Sequence, residues 1–236
     1  MLKSIFNTTV AFIFTAAVLT AQDVKQPFNG KDLTNWQFKK VGDRQHQWKV
    51  GKAVLSATDK KLLEISGAEG DLVNVVSGHN QSVDIISKDT FGDMHLEVEL
   101  MVPQGSNSGI YVMGEYEVQV LDSHGKADKD MGAGDIGAIY NAAVPKVNAS
   151  KAPGEWQKFV IDFKAPVFDA TGKKTANAKF LKVELNGKVL HENLEMKGPT
   201  PGGVSGKESA TGPIMFQGDH GAVAYRNIKI SPLPKP

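Results

Sequence analysis

The chain has 236 residues, with 27 Lys or Arg against 26 Asp or Glu and a formal net charge of +1. Nucleic acids and anionic membranes attract strongly basic surfaces, so this balance argues against both as partners. The sequence contains no cysteine, which excludes disulfides and thiol chemistry, and it is long enough for one large β domain with its own core.

The N-terminal segment, residues 1–21, has the pattern of a secretory signal peptide. Lys3 precedes a short apolar run that ends at Leu19, and the small residue Ala21 follows. A retained membrane anchor is the alternative, but the run is short for a spanning helix. We therefore expect cleavage near Ala21 and a formally neutral mature domain, residues 22–236. This domain would be periplasmic or secreted and would not contact the membrane once the signal is removed.

After the signal, the chain alternates between short strands and turn signals. Leu96, Val98 and Leu100 alternate with polar residues, which is the period of a strand with one buried face. Asn186-Gly187 separates two further alternating segments and is a strong hairpin signal. The predicted strands, in chain order, cover 95–102, 115–120, 159–163, 181–185, 188–190, 214–217 and 225–230. Without any long amphipathic helix, they predict an all-β sandwich or barrel.

One strand carries an unusual row of polar side chains. Glu115, Glu117 and Gln119 alternate with Tyr116 and Val118, so the three polar groups share one face. Lys and Thr would serve equally well on a face that merely contacts water. Two carboxylates and a carboxamide in a row favour a surface that binds hydroxyl-rich ligands or moves protons.

Two of the six histidines lie next to strands of interest. His124 follows the polar-faced strand, and His220 lies in the segment Gln217–Gly221 at the exit of another strand. An imidazole titrates near neutral pH and suits a general base, although a turn histidine can also be solvated or a capping residue. No metal-binding, Gly-x-Ser-x-Gly or phosphate-loop motif is present to indicate another chemistry.

A conventional retaining glycosidase needs two carboxyl groups about 5–5.5 Å apart. Sandwich-fold β-glucanases place these groups four residues apart on one strand face. Here the corresponding second position is Gln119, which can neither protonate a leaving group nor act as a base. Glu115 and Glu117 could still form a pair, so this class stays open if two carboxylates face each other across a cleft.

Several further motifs occur in an order that resembles a known family, the 3-keto-disaccharide hydrolase domain family. The matching segments are 28–36, 91–99, 107–110, 116–122, 137–140, 153–157, 212–213, 217–221 and 225–228. The resemblance covers nearly the whole mature chain, as a single domain. It implies a concanavalin A-like jelly roll of two antiparallel sheets, one of them concave and ligand-facing, which agrees with the strand pattern.

The resemblance also implies an activity on 3-keto-glycosides. A ketone at C3 acidifies the proton on C2, so a base can remove it and the C1 substituent can leave by β-elimination, with or without later addition of water. Such a site needs a base near C2, a group that holds the enolate oxygen and an acid at the leaving oxygen. A divalent metal ion could hold the enolate oxygen, but the sequence specifies no ligand set.

The site residues expected from this chemistry fall into two groups. The proton carriers are His220 or His124 as the base, with Glu117 as the second proton carrier or a metal ligand. The residues expected to bind the sugar are Asn107, Glu115, Gln119, Tyr140, Trp156 and Gln217. Trp156 would stack on a sugar ring, although it could instead be a core tryptophan at the start of a strand.

A non-catalytic, lectin-like carbohydrate-binding module is the alternative from a different class. Sandwiches of this type serve as lectins as readily as enzymes, so the fold does not decide. A module needs hydroxyl ligands and aromatic platforms but no base. Histidines scattered outside any common cleft would favour the module, whereas two histidines and Glu117 in one pocket would favour the enzyme. A small carbohydrate is the expected ligand in both cases, and the sequence specifies no oligomeric state.

Overall fold

The computed structural model describes residues 24–234 of the chain. The predicted signal peptide, residues 1–21, lies outside the described residues. Within the described part, the regular structure consists of β-strands and one short 3-10 helix, Asp128–Asp130. No helix of that part is long and apolar enough to cross a membrane.

Sixteen strands run through the described residues, and all of their pairings are antiparallel. In chain order they are β1 (Trp36–Phe38), β2 (Trp48–Gly51), β3 (Ala53–Leu55), β4 (Leu63–Ile65), β5 (Asp71–Asn74), β6 (Ile85–Phe91), β7 (Met94–Met101), β8 (Asn107–Val112), β9 (Tyr116–Leu121), β10 (Gln157–Lys164), β11 (Val167–Phe168), β12 (Lys174–Ala176), β13 (Lys179–Leu185), β14 (Lys188–Glu195), β15 (Gly212–Phe216) and β16 (Val223–Ser231).

Two large sheets form the sandwich. One has seven strands in the order β14-β13-β10-β7-β16-β5-β2, and the other has five in the order β1-β6-β15-β8-β9. Two small hairpins, β3-β4 and β11-β12, complete the described strands. This arrangement confirms the predicted all-β jelly-roll sandwich of two antiparallel sheets.

The hydrophobic core lies between the two sheets because each strand turns its apolar face inward. Leu96 and Val98 of β7 and Val118 and Val120 of β9 are fully buried and belong to one cluster that contains both sheets. Each side chain of this size stabilises the fold by roughly 1.5–3 kcal/mol when it is buried. The alternate residues of β9 point away from the core. The outward face of the five-stranded sheet is therefore available for polar side chains.

Turns with positive φ fix the strand pairings. Asn186-Gly187, with φ of 50° and 80°, joins β13 to β14 and confirms the predicted hairpin. Met113-Gly114, with φ of 53° and 69°, lies between β8 and β9. The pairing of these two strands places Glu117 opposite Tyr111.

Two loops, which contain Ala138 and Thr200, lie along the outer edge of β9 and border the outward face of its sheet. The backbone N–H of Gln119 donates to the carbonyl of Ala138 at 2.9 Å, and that of Tyr140 donates to the carbonyl of Glu117 at 3.1 Å. From the second loop, the Thr200 hydroxyl accepts a 2.9 Å hydrogen bond from the backbone N–H of Glu117. The backbone N–H and C=O of Glu117 are therefore both hydrogen-bonded to these loops.

Candidate functional site

A pocket of about 150 Å³ lies on the outward face of the five-stranded sheet. Its floor is formed by β8 and β9, whose outward side chains alternate with the core residues. The pocket is lined by Asn107, Tyr111, Glu117, Gln119, Tyr140, Pro201, Gly202, Gln217 and His220. Six of the nine site residues expected from the sequence therefore meet in one place.

Glu117 is the carboxyl group that lines the pocket, and only 2% of its surface is exposed. Its carboxylate lies above Gly109 of β8, where a Cβ atom would come within 2.2 Å of Oε1. Burial raises the pKa of the Glu117 carboxyl from an ordinary 4.5 to about 7, an effect that Tyr111 and His220 partly oppose. At neutral pH the group can therefore both accept and donate a proton.

His220 lines the pocket from the turn that follows β15. Its Nδ1 lies 2.5 Å from Oδ1 of Asp219. This hydrogen bond raises the pKa of His220 above its ordinary value of 6.5, and the nearby negative charge of Glu117 adds to the effect. Because Nδ1 is occupied by Asp219, Nε2 is the ring nitrogen that can exchange a proton with a ligand.

The turn that carries His220 packs tightly against Asn74 of β5 and against Val83. The amide of Asn74 donates to the carbonyls of Gly218 and Gly221 at 2.8 and 2.9 Å. A Cβ atom at Gly218 would lie 2.2 Å from the Val83 carbonyl oxygen, so only glycine allows this approach. The two glycines of the segment 217–221 therefore position the histidine between them.

Amides and hydroxyls supply the remaining polar wall of the pocket. The Gln119 amide donates to Oδ1 of Asn107 at 2.8 Å, which fixes the two amides relative to each other. The Tyr111 hydroxyl donates to the carbonyl of Pro201 at 3.2 Å and lies beside Glu117. Gln217 and Tyr140 complete this wall. Such groups can donate to and accept from the hydroxyls of a sugar.

Glu115 is buried beside the pocket but does not line it. Its carboxylate accepts hydrogen bonds from the Ser205 backbone N–H at 2.8 Å, the Ser205 hydroxyl at 2.7 Å and the Gly206 backbone N–H at 2.9 Å. These contacts fix the second loop, which contributes Pro201 and Gly202 to the pocket wall. In the structure, Glu115 therefore holds this loop in place.

Lys39 provides a second anchor for the same loop. Its ammonium group donates to Asp84 at 3.1 Å and to the carbonyls of Gly202 and Gly203 at 2.8 and 3.2 Å. Asp84 in turn accepts the backbone N–H of Gly218 at 3.0 Å. One ion pair thus connects the loop beside the pocket with the turn that holds the histidine.

Two other expected site residues lie elsewhere. His124 is exposed, and its backbone N–H contacts Asp122 at 3.2 Å. Trp156 packs beside the seven-stranded sheet, where the Arg226 guanidinium lies 3.9 Å from the ring centroid. Arg226 is also paired with Glu99 at 2.7 Å. The face of Trp156 that could stack on a sugar is therefore covered by an arginine.

Three residues close to Glu117 and His220 were not predicted from the sequence. Tyr111 shares the outward face with Asn107 by the period of a strand, so the alternation could have indicated it. Asp219 precedes His220 directly and could have been recognised as its partner. No sequence signal indicates His79, whose ring centroid lies 5.4 Å from that of His220.

The sequence left a divalent metal ion possible, and the side chains of the pocket show whether they could hold one. Among residues 24–234, no group of three or more His, Cys, Asp or Glu side chains is placed to hold a metal. The pocket offers one carboxylate, one imidazole whose Nδ1 binds Asp219, and amides. These residues do not fit a metal held by the protein alone.

The fold and the pocket define a β-sandwich protein with a polar pocket that contains a buried carboxyl group and a histidine. Residues 23–231 match the 3-keto-alpha-glucoside-1,2-lyase-like domain family. The chain belongs to this family, which confirms the resemblance drawn from its motifs and places it among carbohydrate-active proteins.

Two solved structures from Parabacteroides distasonis ATCC 8503, both described as candidate glycosyl hydrolases, are similar to this chain. The first is 31% identical to this chain and has a TM-score of 0.63. The match covers 89% of this chain and 84% of the chain in that structure. The second is 18% identical and has a TM-score of 0.58, and the match covers 89% of this chain and 94% of the chain in that structure. At this identity the similarity shows the fold alone. No curated protein matches the sequence.

The raised pKa of Glu117 predicts a pH-dependent cost of folding. Its folded pKa of about 7 lies above the ordinary 4.5, so the carboxyl destabilises the fold increasingly as the pH rises from 4.5 to 7. The full cost is about 3 kcal/mol, by conversion of the pKa difference. In urea unfolding, Glu117→Gln should therefore gain stability over the wild type at pH 8 and lose this gain at pH 4.

The exposed variant Glu64→Gln is the control and should follow the wild type at both pH values. A stability difference between Glu117→Gln and the wild type that does not change with pH would contradict the buried, titrating carboxyl.

The contact between Gly109 and Glu117 predicts a second effect. In Gly109→Ala the new methyl group would overlap Oε1, so the carboxylate must move toward water. We expect the pKa of Glu117 to fall from about 7 toward its ordinary 4.5, as measured by carbon NMR on labelled glutamate. Gly134→Ala, whose added methyl has open space, should leave that pKa unchanged. An unaltered titration in Gly109→Ala would disprove the constraint.

Proposed function

We propose that the protein cleaves 3-keto-glycosides by removing the C2 proton and expelling the C1 substituent. The observation that carries the proposal is that Glu117, with a pKa of about 7, and His220 line the same pocket. Family membership supports a sugar as the substrate. If the predicted signal peptide is functional, this reaction takes place in the periplasm or outside the cell.

His220 is the base in this proposal. Its Nε2 takes the proton from C2, which the C3 ketone has made acidic. Asp219, bonded to Nδ1, stabilises the imidazolium that forms and holds the ring in orientation. The electrons of the broken C–H bond move into the enolate, whose oxygen lies at C3.

Glu117 is the acid. Burial keeps a large fraction of this carboxyl protonated near neutral pH, so it can donate its proton to the leaving oxygen as the C1–O bond breaks. The enolate electrons then form the C1–C2 double bond, and the C3 ketone is restored. Water can add across this double bond, with hydroxide at C1 and a proton at C2, which gives net hydrolysis.

The polar wall would hold the ring and the enolate oxygen. The Tyr111 hydroxyl lies beside Glu117, and the paired amides of Asn107 and Gln119 are suited to the enolate oxygen and the ring hydroxyls. Fixed donors of this kind stabilise developing negative charge without reorganisation during the reaction.

A conventional glycosidase is less well supported, because it needs a second carboxylate across the pocket. Glu115 is engaged with the backbone and side chain of the second loop. Asp84 is buried and paired with Lys39. Glu117 is the carboxylate that lines the pocket. The arrangement therefore favours proton transfer at carbon over displacement by a second carboxylate.

The first test compares a 3-keto-glucoside with its unoxidised parent, each with and without a chelator. We expect purified protein to cleave the keto compound and leave the parent intact, since the C2 proton of the parent is not acidic. Cleavage of the parent would indicate a conventional glycosidase. Binding of either compound without turnover would indicate the lectin-like module. Loss of activity with chelator would show a metal requirement.

The second test separates the base from the acid. Glu117→Gln should lower kcat/KM on a 3-keto-disaccharide by about 10²–10⁴-fold, but should affect a 4-nitrophenyl 3-keto-glucoside much less, because nitrophenolate leaves without a proton. His220→Ala should impair both substrates and abolish deuterium exchange at C2.

His124→Ala is the matched control and should behave as the wild type, because His124 is exposed and does not line the pocket. Wild-type turnover in both the Glu117→Gln and His220→Ala variants would refute the assigned roles.

A further inference from the structure

A second buried carboxylate lies close to the pocket without lining it. Asp84, directly before β6, has 6% of its surface exposed and is not among the lining residues. Its Oδ2 accepts a hydrogen bond from the Lys39 ammonium at 3.1 Å, and its backbone carbonyl accepts the backbone N–H of Lys39 at 2.9 Å. The two residues are therefore bonded to each other through both side chain and backbone.

On one side, this ion pair holds the loop beside Glu117. The Lys39 ammonium also donates to the carbonyls of Gly202 and Gly203 at 2.8 and 3.2 Å. The backbone of Gly202 lies against Tyr111, where an added Cβ atom would come within 2.6 Å of the hydroxyl oxygen. Tyr111 is the residue of β8 that pairs with Glu117. Lys39 therefore fixes the part of the pocket wall that contacts the neighbour of Glu117.

On the other side, Asp84 holds the turn of His220. Its Oδ1 accepts the backbone N–H of Gly218 at 3.0 Å. Gly218 directly precedes Asp219, whose carboxylate binds Nδ1 of the imidazole. A displacement of Asp84 would therefore move both the imidazole and the carboxylate that orients it.

Asp84 also acts on both proton carriers through its charge. Burial is the main cause of the raised pKa of Glu117, and the hydrogen bond with Asp219 is the main cause of the raised pKa of His220. The negative charge of Asp84 adds to both effects, because it disfavours a second negative charge on Glu117 and favours a positive charge on His220.

The contacts of Asp84 fit its ionised form. Burial raises the pKa of the Asp84 carboxyl, but the Gly218 N–H and the Lys39 ammonium oppose this rise. Both oxygens accept a hydrogen bond, one of them from a cation, and such contacts favour a carboxylate. The charged groups that face Asp84 are Lys39, Glu117, Asp219 and His220, and Arg44 lies 3.9 Å from the far oxygen of Asp219.

We propose that Asp84 is a positioning residue for the proposed reaction, which acts on His220 through Gly218 and on the wall beside Glu117 through Lys39. The inference rests on the proposed function and adds to it a residue that does not touch the substrate. Asp84 then has two separable effects. Its hydrogen bonds fix the spacing of the acid and the base, and its charge sets the pH range in which both carry the required protons.

The first variant, Asp84→Asn, removes the charge but keeps an amide oxygen that can accept from Gly218. Without the charge, the pKa values of Glu117 and His220 should both fall. The reaction needs a neutral His220 and a protonated Glu117, so kcat/KM declines below the pKa of His220 and above that of Glu117. Both limbs of the profile on a 3-keto-disaccharide should therefore move to lower pH, and the ratio of kcat/KM at pH 8.5 to that at pH 5.5 should fall about threefold or more.

The second variant, Asp84→Glu, keeps the charge but adds a methylene group between the backbone and the carboxylate. It should lower kcat/KM about tenfold or more at an unchanged pH optimum, because the turn of His220 is displaced while the charge stays. Asp89→Asn removes an exposed carboxylate of the same strand, β6, and is the matched control for the loss of charge. It should keep the wild-type rate and pH profile.

Carbon NMR on labelled glutamate and histidine measures the effect of the charge without turnover. The titration midpoints of Glu117 and His220 should both fall in Asp84→Asn and stay unchanged in Asp89→Asn. Unchanged midpoints in a folded Asp84→Asn variant, or a loss of kcat/KM that is equal at every pH, would overturn the inference.

Asp84→Glu decides the matter if Asp84→Asn does not fold. A wild-type kcat/KM in Asp84→Glu, or a pH optimum that moves although the charge is kept, overturns the positioning role, whereas the expected loss at an unchanged optimum and melting temperature supports it. Each of these outcomes concerns Asp84 alone. A wild-type protein that turns over no 3-keto-disaccharide would overturn the proposed function and this role together.

Discussion

The burial of one carboxyl group is the constraint on which the site depends. Glu117 is held by backbone hydrogen bonds to both flanking loops, and its side chain lies over the bare backbone of Gly109. The pairing of β9 with β8 fixes the face of the sheet from which this carboxylate projects. The cost of burial therefore appears as a raised pKa. The same register that packs Val118 into the core fixes this group at the floor of the pocket.

Neighbouring carboxylates differ in role because they differ in partners. Glu115 receives three hydrogen bonds from Ser205 and Gly206, so its charge is compensated and serves to fix a loop. Asp84 is paired with Lys39 and with a backbone N–H of the histidine turn. Both groups hold in place the segments that line the pocket. Glu117 instead faces the pocket, where a ligand can reach it.

The strands and turns of the fold could be predicted well because their signals lie in residues that are neighbours in the sequence. Period-2 alternation indicated β7 and the polar face of β9, and Asn-Gly located the hairpin. Which polar groups meet depends on long-range pairing, such as that of β15 with β8, about a hundred residues apart in the chain. Alternation alone therefore could not show that a loop covers Glu115, or that Trp156 packs beside the other sheet against an arginine. The ordered motifs carried more of this information, since they indicated six residues that now line one pocket.

The energetics of Glu117 bear on the choice between an enzyme and a binding module. A carboxylate that only binds hydroxyls can remain hydrated and ionised, and then costs the fold nothing. The carboxyl here costs about 3 kcal/mol above neutral pH, against a typical total stability of about 5–15 kcal/mol. A cost of this size at a ligand-accessible position has a use when the neutral, proton-donating form is required. His220, whose pKa is also raised, lines the same pocket and is a second group that can exchange a proton. The two side chains together favour catalysis over binding alone.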